Sequence, residues 1–430
     1  MEYVSYSKNI CSIGHYDTVV LGGGPSGVCA AIEAARNGAK VLLVESNGML
    51  GGMATAGVVG PFMTNYDREG NRPVVAGLYR EIVEKLAERS GAILPEDTDA
   101  PSVHTAYIAQ YHRHVTPFDS FMLQVVLDEM TAEAGVEVLL YTRFVDCICE
   151  NRRIKSVVLA ALEGLISVSA DIFIDCTGNA DVAVAAGVPT WLGDEESGEP
   201  QPGTLMFEID NVSDEAYASL SERPKWPFKA YRMPQKGTYK INHLHVFNVN
   251  AANSKSMSRG HTEARLQVLE ALNFFRSEVS GFENATFKQA GAVLGVRESR
   301  HIEGKYKLSV NDIANGIKFE DRIASYGFGM DVHPRNKKMS GNFKIQVAEV
   351  YYVPYRSLIP LECDNLLVAG KTVSCESQAA GAIRVMPCAM AMGQAAGAAA
   401  AISHADKVEL DKVSVEKLQN ILLEHGAILD

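Results

Sequence analysis

The 430-residue chain contains no Cys-x-x-Cys pair and no group of three or four cysteines at iron–sulfur spacing; its eight cysteines are scattered. Their spacing excludes a thioredoxin-type dithiol and a cluster-bearing electron carrier, and it suits reduced thiols in a cytosol. An excess of positive charge is also missing. With 40 Lys and Arg against 52 Asp and Glu, the net charge is −12, which disfavours a nucleic-acid partner. The opening MEYVSYSKNICSIGHYD has no basic start followed by an apolar stretch, so no secretory signal is expected and a cytoplasmic location is the simplest expectation. No internal repeat or low-complexity tract stands out. Long apolar runs are scarce too, with one exception from Val385 to Ile402, which follows the single charge of Arg384. Eight of those residues are Ala, two are Gly, and Gln394 sits near the centre. The run is barely long enough to cross a bilayer and too weakly apolar to favour it, so a buried helix is expected.

What is present describes a globular protein: 47% hydrophobic and 21% charged residues, in a chain long enough for two domains. "DTVVL" at Asp17 to Leu21 is a β-branched run ending in glycines, Pro25 to Asn37 has an alanine-rich helical pattern closed by Gly38, and "KVLLVE" ends at Glu45. Together they predict a βαβ unit. A helical period follows from Phe118 to Ala134, with Asp119 or Ser120 able to cap it. "VEVLLYTRFVDCICE", "SVVLAAL" and "LISVSA" then read as a β-meander, and "ADIFIDCTGNADVAVAAG" as strand, turn and helix. From residue 194 to 350 the composition shifts toward Lys, Arg, Asn and Pro-containing loops, with one clear helix at Gly260 to Val279. "NLLVAG" returns as a buried strand and leads into the alanine-rich helix. There Pro387 suits the first turn, and Ala389, Gly393, Gly397 and Ala401 leave one face nearly bare, able to lie against other backbone. The expected fold class is α/β, a Rossmann-like domain with a β-meander formed by residues 1–193 and 351–430, plus an inserted α+β domain at 194–350.

The strongest local motif is Gly22-Gly23-Gly24-Pro25-Ser26-Gly27 between strand and helix. Gly22 permits the tight turn, Gly24 lets a pyrophosphate approach the backbone, and Gly27 lets the helix pack on the strand. Glu45, eighteen residues after Gly27 and at the end of the second strand, is placed to accept both ribose hydroxyls of an adenosine.

After Glu45 the chain continues "SNGMLGGMATAGVVG", a second glycine pair that a nicotinamide-binding fold does not need. Together with "DCTGNADVAVAAGVP", "GVRESRHIEGKY", "VPYRSLIP" and "DNLLVAGKTVSCESQAAGAIRVMPCAMAMGQAAGAAAA", it resembles the FAD-dependent oxidoreductases that share a glutathione-reductase-like FAD fold. These are distantly related to fumarate reductases and to heterodisulfide reductase flavoproteins. The resemblance covers nearly the whole chain. It implies a backbone contact to the adenine at Val145, Gly178 near the dinucleotide, Gly51, Gly52 and Met53 beside the ribityl chain and ring, and Ser46 and Gly370 among the cofactor-binding residues. The start of the last long helix, at Met386, Pro387 and Ala389, would touch the flavin pyrimidine, where a helix N-terminus stabilises the negative charge of the reduced ring. Covalently flavinylated relatives carry a histidine after the ribose-binding acid; this segment has none, so noncovalent FAD is implied.

Substrate chemistry points to Arg297, Arg300 and His301, with Asp331 and His333 added by "YGFGMDVHP". Arginine would hold a carboxylate and histidine would move the proton that accompanies hydride transfer at flavin N5. The alternative is that Arg297 and Arg300 form ion pairs with neighbours such as Glu298 or Glu303. His112 with His114, and His243 with His245, have i,i+2 spacing but no third or fourth ligand, so no metal is expected. Cys147 and Cys149 read as buried core thiols. A second dinucleotide motif is missing, which excludes the separate pyridine-nucleotide domain of disulfide reductases. The expectation is a flavoenzyme acting on a small organic molecule, with no nucleic-acid partner and no membrane span. An electron-transfer subunit of a larger complex is the alternative, and the electron donor or acceptor and any homo-oligomer stay open.

Overall fold

Three short apolar runs, Val19–Leu21, Val41–Val44 and Ile172–Ile174, are almost wholly removed from solvent, as strands covered on both faces by helices must be. In the computed structural model they form the centre of a seven-stranded sheet; the structure describes residue 4 and residues 7–100, 103–104, 107–220, 229–242, 244–339 and 345–430. Strands Glu137–Leu139, Val41–Val44, Cys11–Leu21 and Gly164–Asp175 lie side by side and parallel. The last of these belongs to two structures at once. Its first half pairs antiparallel with Arg153–Ala161, which pairs in turn with Arg143–Glu150 to give the meander. Its second half pairs in parallel with Leu366–Val368, a strand contributed from the far side of the inserted segment. This is the expected Rossmann-like α/β arrangement.

The Pro25–Arg36 helix and the Met386–Asp406 helix pack on one face of this sheet and against each other. Their approach is set by the bare face. A Cβ at Gly393 would lie 2.0 Å from Ser26 O, and one at Gly397 would lie 2.2 Å from Ala30 O, so the two backbones are in direct contact. Gly397→Leu is therefore expected to force the helices apart and lower stability by about 1–3 kcal/mol or more, read as a shifted urea midpoint. The helix from Pro387 to Ser403 is buried, and its run of alanines is core. Among the described residues no single helix is long and apolar enough to cross a membrane; Ser377–Ile383 and Met386–Asp406 pass that test only as a pair bent by 92°.

A second core is formed by residues between Leu205 and Leu294. Strands Ala230–Arg232, Tyr239–Ile241, Phe207–Asp210 and Thr286–Ala290 form an antiparallel sheet, and the Ser254–Glu278 helix covers it through Ala264, Val268, Leu272 and Phe275. This helix starts earlier than its apolar pattern, because Asn253 caps it by accepting from Ser256 N. Asp119 caps the Ser120–Glu133 helix, accepting from Phe121 N and Met122 N. Leu308, Ile313, Ile323 and Met330 pack with the first core, so the chain returns to the larger body well before residue 350. Cys147 and Cys149 correct an expectation. Arg143–Glu150 is the edge strand of the meander, so Cys149 is exposed and Cys147 only partly buried, with their sulfurs 3.4 Å apart.

Candidate active site

Steric limits build the dinucleotide turn. Gly22 has φ +102°, and a Cβ there would stand 2.4 Å from Cys176 O; a Cβ at Gly27 would stand 1.8 Å from Gly22 O. Neither position admits a side chain. Gly24 differs, because a Cβ built there meets nothing within 4 Å and would project into open space. Pro25 opens the helix, whose first turn has no side-chain cap. Gly51 N donates to Gly23 O at 2.8 Å, and Gly52 lies so close to Gly24 Cα that a Cβ would come within 2.9 Å, laying the second glycine pair across the first. On the other side, Ser26 Oγ donates to Ala369 O and leaves no room for a Cβ at Gly370.

Glu45 is buried and its carboxylate is well supplied. Oε2 accepts from Gly23 N at 2.7 Å, while Oε1 accepts from Asn47 N and Nδ2 at 2.7 Å and from Ser46 Oγ at 3.0 Å. Oε2 keeps a lone pair for a further donor. Asp175, the first residue of the Asp-Cys-Thr-Gly run, organises the neighbouring loop. It accepts from Thr177 N and Oγ1 and from Val182 N and Ala183 N, capping the short helix after Gly178. Burial raises its pKa against those hydrogen bonds.

Above the sheet lies a cavity of about 1000 Å³, at the upper end of the ~300–1,000 Å³ typical for small-molecule sites. Of the residues singled out in the sequence, Gly22, Gly24, Pro25, Ser26, Glu45, Ser46, Gly52, Met53, Gly178, Gly370, Met386 and Ala389 line it, as do Arg297 and His333. Gly27, Gly51 and Pro387 do not; they act beneath the lining. Val145 is half-exposed at a register shift between Phe144 and Asp146, and its neighbours Thr142, Arg143 and Phe144 line the cavity instead. Arg300 is the clearest departure. It lies on a strand paired with Thr190–Leu192, and its guanidinium donates to Asn179 O and pairs with Asp181 at 3.1 Å, so it is not on the lining. His301, on the opposite face of the same strand, is fully buried near Glu298 and Cys375.

Sequence reasoning missed Arg384, Lys371 and an aromatic wall of Tyr111, His112, Tyr231 and Phe328, all on the lining. Arg384 donates to Asp331 O at 2.7 Å and Oδ2 at 3.1 Å, and its Nε is buried without a hydrogen-bond partner. Arg297 donates through Nη1 to Pro202 O and Thr204 Oγ1. His333 Nε2 lies 3.1 Å from Asp331 Oδ2 and its Nδ1 lies 3.0 Å from His245 Nε2. Burial works to raise the Asp331 pKa, but His333, Arg384 and Arg297 together hold it far below the usual carboxylate range. Burial, helped by Arg297, pulls His333 down to about 4 against the pull of Asp331. Burial and the nearby Arg384 bring Arg297 down to about 10.

The described histidines of these two pairs have other partners. His112 accepts from Ile108 N and stacks on His104 at 3.8 Å, while His114 bonds Pro95 O and Gly70 O. His243 lies outside the described residues, and His245 is the partner of His333. Burial, with Lys229 adding to it, draws His112 down to about 3. Both His112 and His333 thus bind a proton more readily when unfolded. Their stabilising contribution is complete above the ordinary imidazole pKa and is lost as pH falls toward 4 and then 3. Urea midpoints measured from pH 7 to pH 4 are expected to fall steadily, with a shallower fall in His112→Gln.

Comparison with known proteins adds a family and a fold. Residues 17–422 match the family profile described as "FAD dependent oxidoreductase". The chain is 30% identical over 236 residues to a thiamine thiazole synthase of Aeropyrum pernix, spanning 48% of this chain and 76% of that protein. Over 47 residues it is 49% identical to a mitochondrial dihydrolipoyl dehydrogenase of Schizosaccharomyces pombe, which is 11% of this chain and 9% of that one. Among solved structures, a triple mutant of the flavin-dependent brominase Bmp2 superposes with a TM-score of 0.50 at 13% identity, covering 95% of this chain and 85% of that chain.

Proposed function

From the premise that this chain belongs to the FAD-dependent oxidoreductase family, and is an enzyme with FAD as its cofactor, we propose that it transfers hydride between flavin N5 and a small organic substrate. The single observation that carries this reading is the continuity of the cavity. One space runs from the dinucleotide turn and Glu45 to a cluster of Arg297, Asp331, His333 and Arg384.

The residues present fit FAD. Gly24 leaves empty the volume that a side chain would fill, the helix behind it starts without a side-chain cap, and Glu45 Oε2 retains an acceptor position. The Met386–Asp406 helix likewise starts without a side-chain cap, with Val385, Met386 and Ala389 on the lining. No histidine occurs from Ser46 to Gly57, which supports noncovalent attachment. When bound, FAD supplies a two-electron acceptor or donor. Glu45→Ala removes the carboxylate that holds both Gly23 N and the ribose. A charge-assisted hydrogen bond is worth ~1.5–3 kcal/mol, so FAD affinity is expected to fall about 10- to 100-fold, measured by fluorescence titration of the apoprotein.

In this reading the inserted segment 194–350 supplies the substrate side. At neutral pH His333 is neutral and accepts a proton from a substrate undergoing oxidation, releasing one of its two ring contacts to do so. Asp331, which accepts from His333 Nε2, stabilises the imidazolium formed, while Nδ1 takes the proton on parting from His245. In the reverse direction the same groups deliver the proton.

Anaerobic mixing of the oxidised holoprotein with a metabolite library, followed by the flavin band, tests the proposal. Bleaching by a small molecule supports it. Bleaching only by a reduced carrier protein would favour the electron-transfer subunit and overturn the assignment of a small substrate.

A further inference from the structure

We propose that the substrate is a carboxylate whose anionic end is held by Arg384 together with Arg297, and that Arg384 sets this specificity. The inference rests on the flavoenzyme reading for the site but on separate residues for its content. Among the described residues Arg297, Arg384 and Lys229 line the cavity together with Asp331, whose carboxylate feels both arginines. Arg384 is only 11% exposed, and charges withdrawn from water are tolerated when paired and hydrogen-bonded. Asp331 satisfies Arg384 Nη2 alone, and Nε is left buried without a partner. Arg297 donates through Nη1 to Pro202 O and Thr204 Oγ1. A planar fork with unused N–H groups matches a carboxylate, which accepts two parallel hydrogen bonds. His333, being neutral at ordinary pH, adds no charge that would compete.

The cavity also defines what the carboxylate is attached to. Tyr111 and Phe328 meet edge to face at 5.6 Å, and His112 and Tyr231 at 5.9 Å, so the lining offers both aromatic faces and edges. An aromatic carbon skeleton can stack on or meet these rings edge to face, which a small aliphatic one cannot. Arg384 stands two residues before Met386, at the corner between the two bent helices. The anion is thus held beside the helix start that is proposed to face the flavin.

Binding of benzoate, its neutral counterpart benzamide, and acetate to the FAD-loaded protein tests this, by calorimetry and by perturbation of the visible flavin spectrum. Benzoate is expected to bind at least ~10-fold more tightly than benzamide, which loses a charge-assisted contact, and more tightly than acetate, which keeps that contact but not the one with the aromatic rings. Arg384→Met should abolish the preference for benzoate over benzamide. Arg384→Lys, which keeps a positive charge for Asp331 but loses the fork, should reduce benzoate affinity ~10-fold while retaining flavin and melting temperature. Equal binding of benzoate and benzamide, or unchanged discrimination in Arg384→Lys, overturns the proposal. Arg384-dependent benzoate binding in a protein whose flavin no small molecule reduces would sink the hydride-transfer reading and leave the anion site standing. Rapid reduction by an uncharged substrate, indifferent to Arg384, would do the reverse.

Discussion

His333→Ala is expected to stay yellow and folded while its flavin is reduced ~100- to 10,000-fold more slowly by the substrate, the range typical for loss of a positioned proton-transfer group. Stopped-flow absorbance under anaerobic conditions measures it directly. The pH profile adds a second signature. His333 faces Asp331, His245, Arg297 and Arg384, and burial brings it to about 4. The neutral, proton-accepting form therefore prevails above that pH. Reduction of the wild-type flavin should hold its rate as pH falls through 6.5, the midpoint of an unperturbed imidazole, and decline only toward 4. In His333→Gln that acid limb should disappear along with most of the rate. A variant as fast as wild type, with the limb intact, would place the proton elsewhere in the cavity.

The second large effect separates two glycines of one motif. Gly24→Val should fold normally and purify colourless. A Cβ at that point meets nothing within 4 Å, so the new side chain projects into the space where a pyrophosphate must approach. Gly22→Val should fail earlier, in folding itself, since both its φ of +102° and the 2.4 Å approach to Cys176 O forbid a side chain. Thermal melts of the two apoproteins, followed by FAD titration, distinguish the outcomes. Gly24→Val that binds FAD like wild type would mean that the diphosphate takes a different path.

The contrast also shows why some of the site is legible in sequence and some is not. Gly22, Gly27 and the Gly393/Gly397 face are readable because hard-sphere contact leaves no other residue for those places, so the local pattern carries the tertiary constraint. Asp119 is readable for a similar reason, since a cap needs only its own helix. Arg300 is misread because neighbouring charges do not reveal which face of a short strand they occupy. The pairing with Thr190–Leu192 turns Arg300 toward Asp181, and the alternation buries His301 behind it. Arg384 escapes notice because its meaning lies in Asp331, on another segment, and in a bend that hydropathy reads as one run. The aromatic wall joins Tyr111 and His112 to Tyr231 and Phe328 across three separate stretches of chain, and no spacing announces it.

The backbone contact between the first and last long helices also sets a timetable for synthesis. Ser26 and Ala30 emerge from the ribosome on the order of 350 residues before Gly393 and Gly397, the partners that cover them. At ~5–20 residues per second the nascent protein spends on the order of 20–70 s with its dinucleotide turn made and the bare side of its first helix uncovered. The strand at Leu366–Val368 also follows its partner Gly164–Asp175 by a long stretch of chain, though a shorter one. Cofactor capture should accordingly wait for the Met386–Asp406 helix, and chains truncated before Met386 should be clients of chaperones rather than weak flavoproteins.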